Sequence, residues 1–286
     1  MTGKIIKGIG GFYYVSAEGK LYTCKAKGIF RLENVRPMIG DEVELSVIDA
    51  DRCEGSIDEI LPRRNSLLRP AVSNIDIVLV VQALAKPKLQ PYLLDRFLLS
   101  MEMRDIPIGI IWNKADLCRE IPAAYRDYPG ILTSAKTGEG IDAVRACIRG
   151  KSAALAGPSG VGKSSITNLL CPEALMETGG ISRKIERGKH TTRHSEFFAL
   201  GEDTFLCDTP GFTSVVFEDI PSDRLKYYFR DFAPYEGKCR FHGCMHLAEP
   251  ECAVKQALED GNIAESRYDS YTKIYDEIYH QERRYP

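Results

Sequence analysis

Gly157-Pro158-Ser159-Gly160-Val161-Gly162-Lys163-Ser164 constrains this chain more than any other stretch. It is a complete G-x4-G-K-S, preceded by the strand-like SAALA and followed by the helix-like SSITNLL, the strand-loop-helix setting that such a motif needs. The glycines let successive backbone N–H groups curl round a phosphate, and the following helix turns its positive end toward the same anion. Lys163 is then placed to reach the β and γ oxygens of a nucleotide, and Ser164, with Ser165 beside it, supplies a hydroxyl for Mg2+. An ordinary Gly-rich turn explains neither the Lys-Ser pair nor its flanks.

A P-loop implies a parallel α/β sheet, and the surrounding pattern supplies one. From Ile75, IDIVLVV reads as a buried strand, Tyr92 to Met103 has helical spacing, and IPIGIIW reads as a second buried strand. This alternation continues to about Asp208. Upstream, residues 1–69 set short apolar runs between turn signals such as Glu18-Gly19, which predicts a small all-β barrel. LPRRNSLLRP reads as a linker between the two. Past Pro221 come aromatic-rich helical stretches and a Cys/His cluster, then the helical run SRYDSYTKIYDEIYHQERR. At 286 residues the chain is long enough for such a division, expected at 1–69, 70–220 and 221–286.

A phosphate cradle does not select a base. Asn113-Lys114-Ala115-Asp116 directly follows IPIGIIW, and a carboxylate there accepts from both N1–H and the exocyclic amine of guanine, a pairing adenine cannot offer. Lys114 can lay its stem along the base, and Ser134-Ala135-Lys136 can offer backbone N–H to guanine O6. GTP is therefore expected over ATP. Asp208-Thr209-Pro210-Gly211 ends another strand-like run, where the acid can hold Mg2+ through water and the Gly211 N–H can meet a γ-phosphate. Between these lies GGISRKIERGKHTTRHSE, long enough to act as a switch, with Thr191 or Thr192 as the further Mg2+ ligand.

The order of these parts matters. Ras-like GTPases run P-loop, switch threonine, DxxG, NKxD, SAK, whereas here NKAD and SAK precede the P-loop and DTPG follows it. That is a circular permutation. Together with VRPMIGDEVEL, RRNSLLRP and the cysteine cluster, the permuted motifs resemble the ribosome small subunit-dependent GTPase A family (RsgA, also called YjeQ or YloQ) along nearly the whole chain. The resemblance implies an α/β fold class: a circularly permuted P-loop GTPase domain with an N-terminal OB-fold barrel and a C-terminal, mainly helical zinc domain. It also implies GTP hydrolysis late in 30S subunit maturation, with 16S rRNA as the surface met.

Cys239-x4-Cys244-x-His246-x5-Cys252 looks like this family's zinc pattern, and three thiolates with one imidazole suit a closed, structural Zn2+. His242 is a rival ligand inside the cluster, and the family match favours His246. The water-orienting Gln that follows DxxG in Ras-like enzymes is replaced by Phe212, so turnover is expected to be slow until the subunit orders the switch. His190 is the candidate to orient the water, or else a surface or RNA-contacting residue. Gly160 stands where some potassium-activated GTPases carry Asn, so potassium activation is not expected.

Charge excludes a polycation that coats RNA indiscriminately, because the formal net charge is −2. Local patches remain: Lys20, Lys25, Lys27 and Arg31 on the barrel, with Tyr13, Tyr14, Tyr22 and Phe30 as stacking partners or barrel core, and Arg183, Lys184, Arg187, Lys189 and Arg193 in the switch. No apolar run is long enough to span a bilayer, MTGKIIKGIGGF lacks the features of a signal peptide, and the odd number of cysteines suits reduced thiols. A cytoplasmic monomer is expected. The competing readings are a GTP-binding RNA scaffold whose hydrolysis is incidental, and a permuted GTPase acting on the 50S subunit or a tRNA.

Overall fold

The computed structural model describes residues 1–28, 30, 35–68, 71–172, 196–201, 203–208 and 220–282. His190, Thr191, Thr192 and Gly211 lie outside the described residues, as do Arg31 and the basic residues of the switch.

Strands β1 (Thr2–Ile9), β2 (Phe12–Ala17), β3 (Lys20–Ala26), β4 (Glu42–Asp49) and β5 (Glu54–Ile60) close a barrel in the order β1-β2-β3-β5-β4. Two-residue links of positive φ, Gly10-Gly11 and Glu18-Gly19, make its tight hairpins. Strand alternation sends Ile5, Val15, Cys24, Val43, Leu45 and Ile57 inward. Tyr22 and Phe30 are buried in this core, so the core alternative holds for them. Phe12 stays 41% exposed, with the Lys25 ammonium 5.1 Å from its ring centroid.

The segment read as a linker is instead a clamp. Strands β6 (Ser66–Leu68) and β7 (Ala71–Ser73) pair as a ladder across the expected boundary at 69/70. Just before them, Arg63 donates to both oxygens of Asp41 in the barrel, at 2.7 and 2.8 Å. The next residue, Arg64, reaches Asp76 on the other side at 2.5 Å. Asn65 accepts from Ile75 N–H and donates to Ile75 O. Arginines in a Pro-rich stretch have no periodicity to reveal partners, which is why the pairing was not legible.

The central sheet holds β8 (Ile77–Ala83), β9 (Ile108–Asn113), β10 (Gly130–Leu132), β11 (Ser152–Ala156), β12 (Glu196–Gly201) and β13 (Thr204–Asp208), in the order β10-β9-β8-β11-β13-β12. All neighbours are parallel except β12 with β13. From β8 the chain builds outward through β9 and β10, then returns to lay β11 on the other side. This reversal opens a crevice beyond the carboxyl ends of β8 and β11. Helix α1 (Pro91–Glu102) covers one face over Val78, Val80, Ile108 and Ile110, while α2 (Ile141–Ile148) and α3 (Lys163–Leu170) cover the other over Leu79, Val81, Leu155 and Leu206. Runs apolar on both faces are what a parallel strand between helix layers requires.

The C-terminal part has 3-10 turns at Ser222–Tyr228 and Arg230–Tyr235, then α4 (Ala253–Glu259) and α5 (Glu265–Glu282). Its core of Leu225, Phe229, Phe232, Tyr271, Ile274 and Ile278 takes in Leu99 from α1. Among the described residues no helix is long and apolar enough to cross a membrane.

Candidate nucleotide and metal sites

The crevice gathers the motifs by strand register. Asn113 ends β9 opposite Ala83 of β8, Ala156 of β11 lies opposite Val80, and Asp208 of β13 lies opposite Leu155. The loop after β11 adopts positive φ at Gly157, Gly160 and Gly162. Two of these positions leave no room for a side chain. A Cβ on Gly157 would stand 2.3 Å from Val81 O, and one on Gly162 would stand 2.3 Å from Asn113 Nδ2. Lys163, the first residue of α3, donates to Gly157 O at 2.6 Å and Pro158 O at 2.8 Å, so its ammonium lies over the loop where a phosphate would replace those carbonyls.

The guanine-reading segments are tied to this loop by side chains. Asn113 is buried; its amide donates to Val161 O at 2.8 Å, and its carbonyl accepts from Ala135 N–H at 3.0 Å. One residue thus fixes NKAD, SAK and the P-loop together. Lys114, at φ 66°, donates to Gly160 O at 2.9 Å and also to Lys86 O. Ser134 is buried and donates to Asp116 Oδ1 at 2.7 Å, which orients an otherwise exposed carboxylate. Two of the three amides expected to face guanine O6 are already used, Ser134 N–H by Glu139 O and Ala135 N–H by Asn113. Sequence gave no sign of the Lys86 carbonyl, because a backbone acceptor has no residue signature.

The second site lies in the C-terminal part. The ligand atoms of Cys239, Cys244, His246 and Cys252 all fall within 4.8 Å of one another. Cys239 Sγ is 3.9 Å from Cys252 Sγ, and His246 Nδ1 is 3.5 and 3.3 Å from those two sulfurs. A tetrahedral Zn2+ with Zn–S of about 2.3 Å and Zn–N of about 2.0 Å has edges of roughly 3.5–3.8 Å, so the donor set fits zinc. His242 is exposed and outside the cluster. Burial pushes the Cys244 thiol up to about 12 and the His246 imidazolium below its ordinary value. Both groups are thus held neutral by their surroundings, and a cation would release the thiol proton. The turn carrying His246, at φ 61°, is held by Glu249, which accepts from Met245 N–H at 2.6 Å and Leu247 N–H at 2.9 Å. Tyr268 and Tyr271 of α5 donate to the carbonyls of His246 and Met245.

A crevice P-loop cross-tied to an NKAD loop that precedes it in the chain, between a closed barrel and a Cys3His helical part, defines a circularly permuted P-loop GTP-binding protein. Residues 60–218 match the family model described as RsgA GTPase and residues 2–57 match the RsgA N-terminal domain, and the chain belongs to this RsgA GTPase family. As a member it is a GTP hydrolase. It is 48% identical over 301 residues to the Small ribosomal subunit biogenesis GTPase RsgA of Agathobacter rectalis, covering 99% of this chain and 100% of that one. It is 44% identical to the protein of the same name from Alkaliphilus metalliredigens, covering 99% of each. Among solved structures, YjeQ from Thermotoga maritima matches with a TM-score of 0.82 at 35% identity, over 97% of this chain and 98% of that one. YloQ, described as a circularly permuted GTPase, matches at 0.78 and 36% identity, over 98% and 95%.

Proposed function

We propose that this chain hydrolyses GTP during maturation of the small ribosomal subunit in the cytoplasm, as a monomer whose turnover is raised when 16S rRNA of the subunit orders its switch. The observation that carries the reading is the bond from Asn113 to Val161 O, which joins guanine selection and phosphate binding in one rigid unit. The names of its full-length relatives supply the ribosomal context.

In this reading Asp116, aimed by Ser134, accepts from N1–H and the 2-amino group of guanine, and Lys114 lies along the base. The residues from Gly157 to Ser165 wrap the phosphates with backbone N–H. Lys163 leaves the carbonyls of Gly157 and Pro158 for the β and γ oxygens, so its charge meets the negative charge that builds on the transferred group. The Ser164 hydroxyl and Thr191 or Thr192 are the hard oxygen donors that would hold Mg2+, with the Asp208 carboxylate reaching it through water, and the ion would supply charge neutralisation. Gly211 N–H would meet the γ-phosphate, and His190 would orient the attacking water. Cys239, Cys244, His246 and Cys252 would hold a structural Zn2+, with 1–69, 70–220 and 221–286 as the barrel, GTPase and zinc units.

Steady-state GTP hydrolysis with and without purified 30S subunits, with 50S subunits and tRNA as controls, tests the proposal. A large increase specific to 30S is expected. Equal rates with every particle would sink the ribosomal part and return the scaffold reading. His190→Ala should abolish the stimulated rate while leaving GDP affinity unchanged.

A further inference from the structure

Arg267 lies on α5, in the C-terminal part, yet its guanidinium is inside the seam with the GTPase domain. It pairs with Asp95 of α1 and donates to Asp231 through Nε at 2.6 Å. The same guanidinium stacks over the rings of Tyr125, Tyr128 and Phe229, 5.0 to 5.7 Å from their centroids. A charge buried this completely is costly unless every side of it is engaged, so its position is sharply determined.

Two of those partners lead to the guanine loop by separate routes. Asp95 sits on α1, which starts at Pro91 immediately after the loop whose Lys86 carbonyl accepts from Lys114. That loop also lies against the P-loop, since a Cβ on Gly160 would be 3.8 Å from Pro87 Cδ. Tyr125 packs on Trp112, ring centroids 6.1 Å apart, and Trp112 is the residue before Asn113. Helix α1 has further ties to the C-terminal part: Tyr92 and Arg96 both meet Glu277, and Arg230 meets Glu102 at 2.6 Å.

We propose that Arg267 is a positioning residue for guanine binding, holding the supports of Lys114 and of Asn113 in register through Asp95 and Tyr125. It touches neither nucleotide nor phosphate. The consequence runs both ways, because coupling between two sites is reciprocal. Seating the base should steady α5, and GDP should do so as well as a GTP analogue, since both present the same base. A route through the switch would respond to the analogue alone.

The inference rests on guanine occupying the Asn113–Asp116 loop, so binding of a fluorescent GDP to the unsubstituted, zinc-loaded chain is measured first. Failure to bind would overturn that assignment and this inference with it. With Arg267→Met, affinity for GDP is expected to fall about tenfold and the preference for GDP over IDP, which lacks the 2-amino group, to shrink. The kcat at saturating GTP should change less than twofold, and Arg267→Lys should recover part of the affinity. Trp112 is the sole tryptophan of the chain, so its emission reports the support directly and should shift in Arg267→Met. Hydrogen exchange across α5 should slow equally with GDP and with the analogue. A variant that lowers the melting temperature while GDP affinity, GDP/IDP preference and Trp112 emission stay unchanged would show Arg267 to be structural only, and protection of α5 by the analogue alone would equally overturn the proposal.

Discussion

The GTPase domain meets the barrel on one side and the C-terminal helices on the other, and the two seams differ in kind. On the barrel side the ion pairs are half-open, Lys7 with Glu196 at 2.8 Å and Arg64 with Asp76 at 2.5 Å. Beside them runs a cleft of about 920 Å3, lined in part by Lys4, Glu42, Arg64, Asp76, Ser152 and Phe205. Close contacts pin this seam at the clamp, where Gly40, at φ 93°, lies so near the Ser73 carbonyl that a Cβ would stand 2.1 Å from its oxygen. On the C-terminal side, Leu99 of α1 belongs to the same apolar core as Phe229 and Tyr271, and the Arg267–Asp95 pair is 2% and 0% exposed. The barrel is docked through half-open ion pairs around one buried anchor, where Asp41 accepts from Arg63 and Ser73, and Gly40 O accepts from Asn74. The C-terminal helices share a core with the GTPase domain and should move only with α1.

The sharpest way to break the comparison is Arg267→Ala. It strands Asp95 and Asp231 beside apolar rings, and the loss of stability should be about 3–5 kcal/mol, read from denaturant unfolding. A loss below that of an ordinary surface change would mean water already enters the seam. Next, Gly40→Ala should destabilise by roughly 1–3 kcal/mol through strain at a positive φ and the clash with Ser73, and limited proteolysis should then release the barrel before the C-terminal helices. If both parts are released together, the seams are not independent.

Acid should also separate the seams. Burial pushes the Asp76 carboxyl up, but the Arg64 guanidinium and the Ser152 N–H outweigh it and hold the group below its ordinary value. Such a carboxylate stabilises the fold above the unfolded value of about 3.9, and that share is lost as pH falls through the lower folded value. Asp95, pushed up by burial, brings no such loss. The protection factor of the Ser152 amide, whose N–H donates to Asp76 at 2.8 Å, should therefore fall below about pH 4 in the wild type and far less steeply in Asp76→Asn. Smallest of all, Lys7→Ala should cost about 0.2–1 kcal/mol, an effect that high salt removes, because the pair is screened by solvent.

What could be read from sequence divides along the same physical line. The P-loop and NKAD are each a short contiguous run, and glycines at fixed offsets announce a backbone cradle, so both loops were legible from one strand of text. The barrel was legible because alternation with period two needs no partner. The links between distant segments were not: Asn113 to Val161, Arg63 to Asp41 and Arg267 to Asp95 each depend on a fold that brings remote residues together. Tyr22 shows the converse limit, since an aromatic in an alternating strand has the same letter whether it faces core or RNA. His246 and His242 were separable by family pattern and are separated in the structure by burial.

The strand order has a consequence for synthesis. Strand β8 pairs with β9 on one edge and β11 on the other, and β11 is made only after β9, β10 and α2. As the chain leaves its own ribosome, the base-reading half, from β8 through Ser134, can assemble while the other edge of β8 still lacks its neighbour. An unpaired apolar strand edge is a sticky intermediate, and Ser152–Ala156 closes it. In a nascent chain, arrival of the phosphate loop is therefore also the event that covers the open edge of β8, and β13 then pairs on β11.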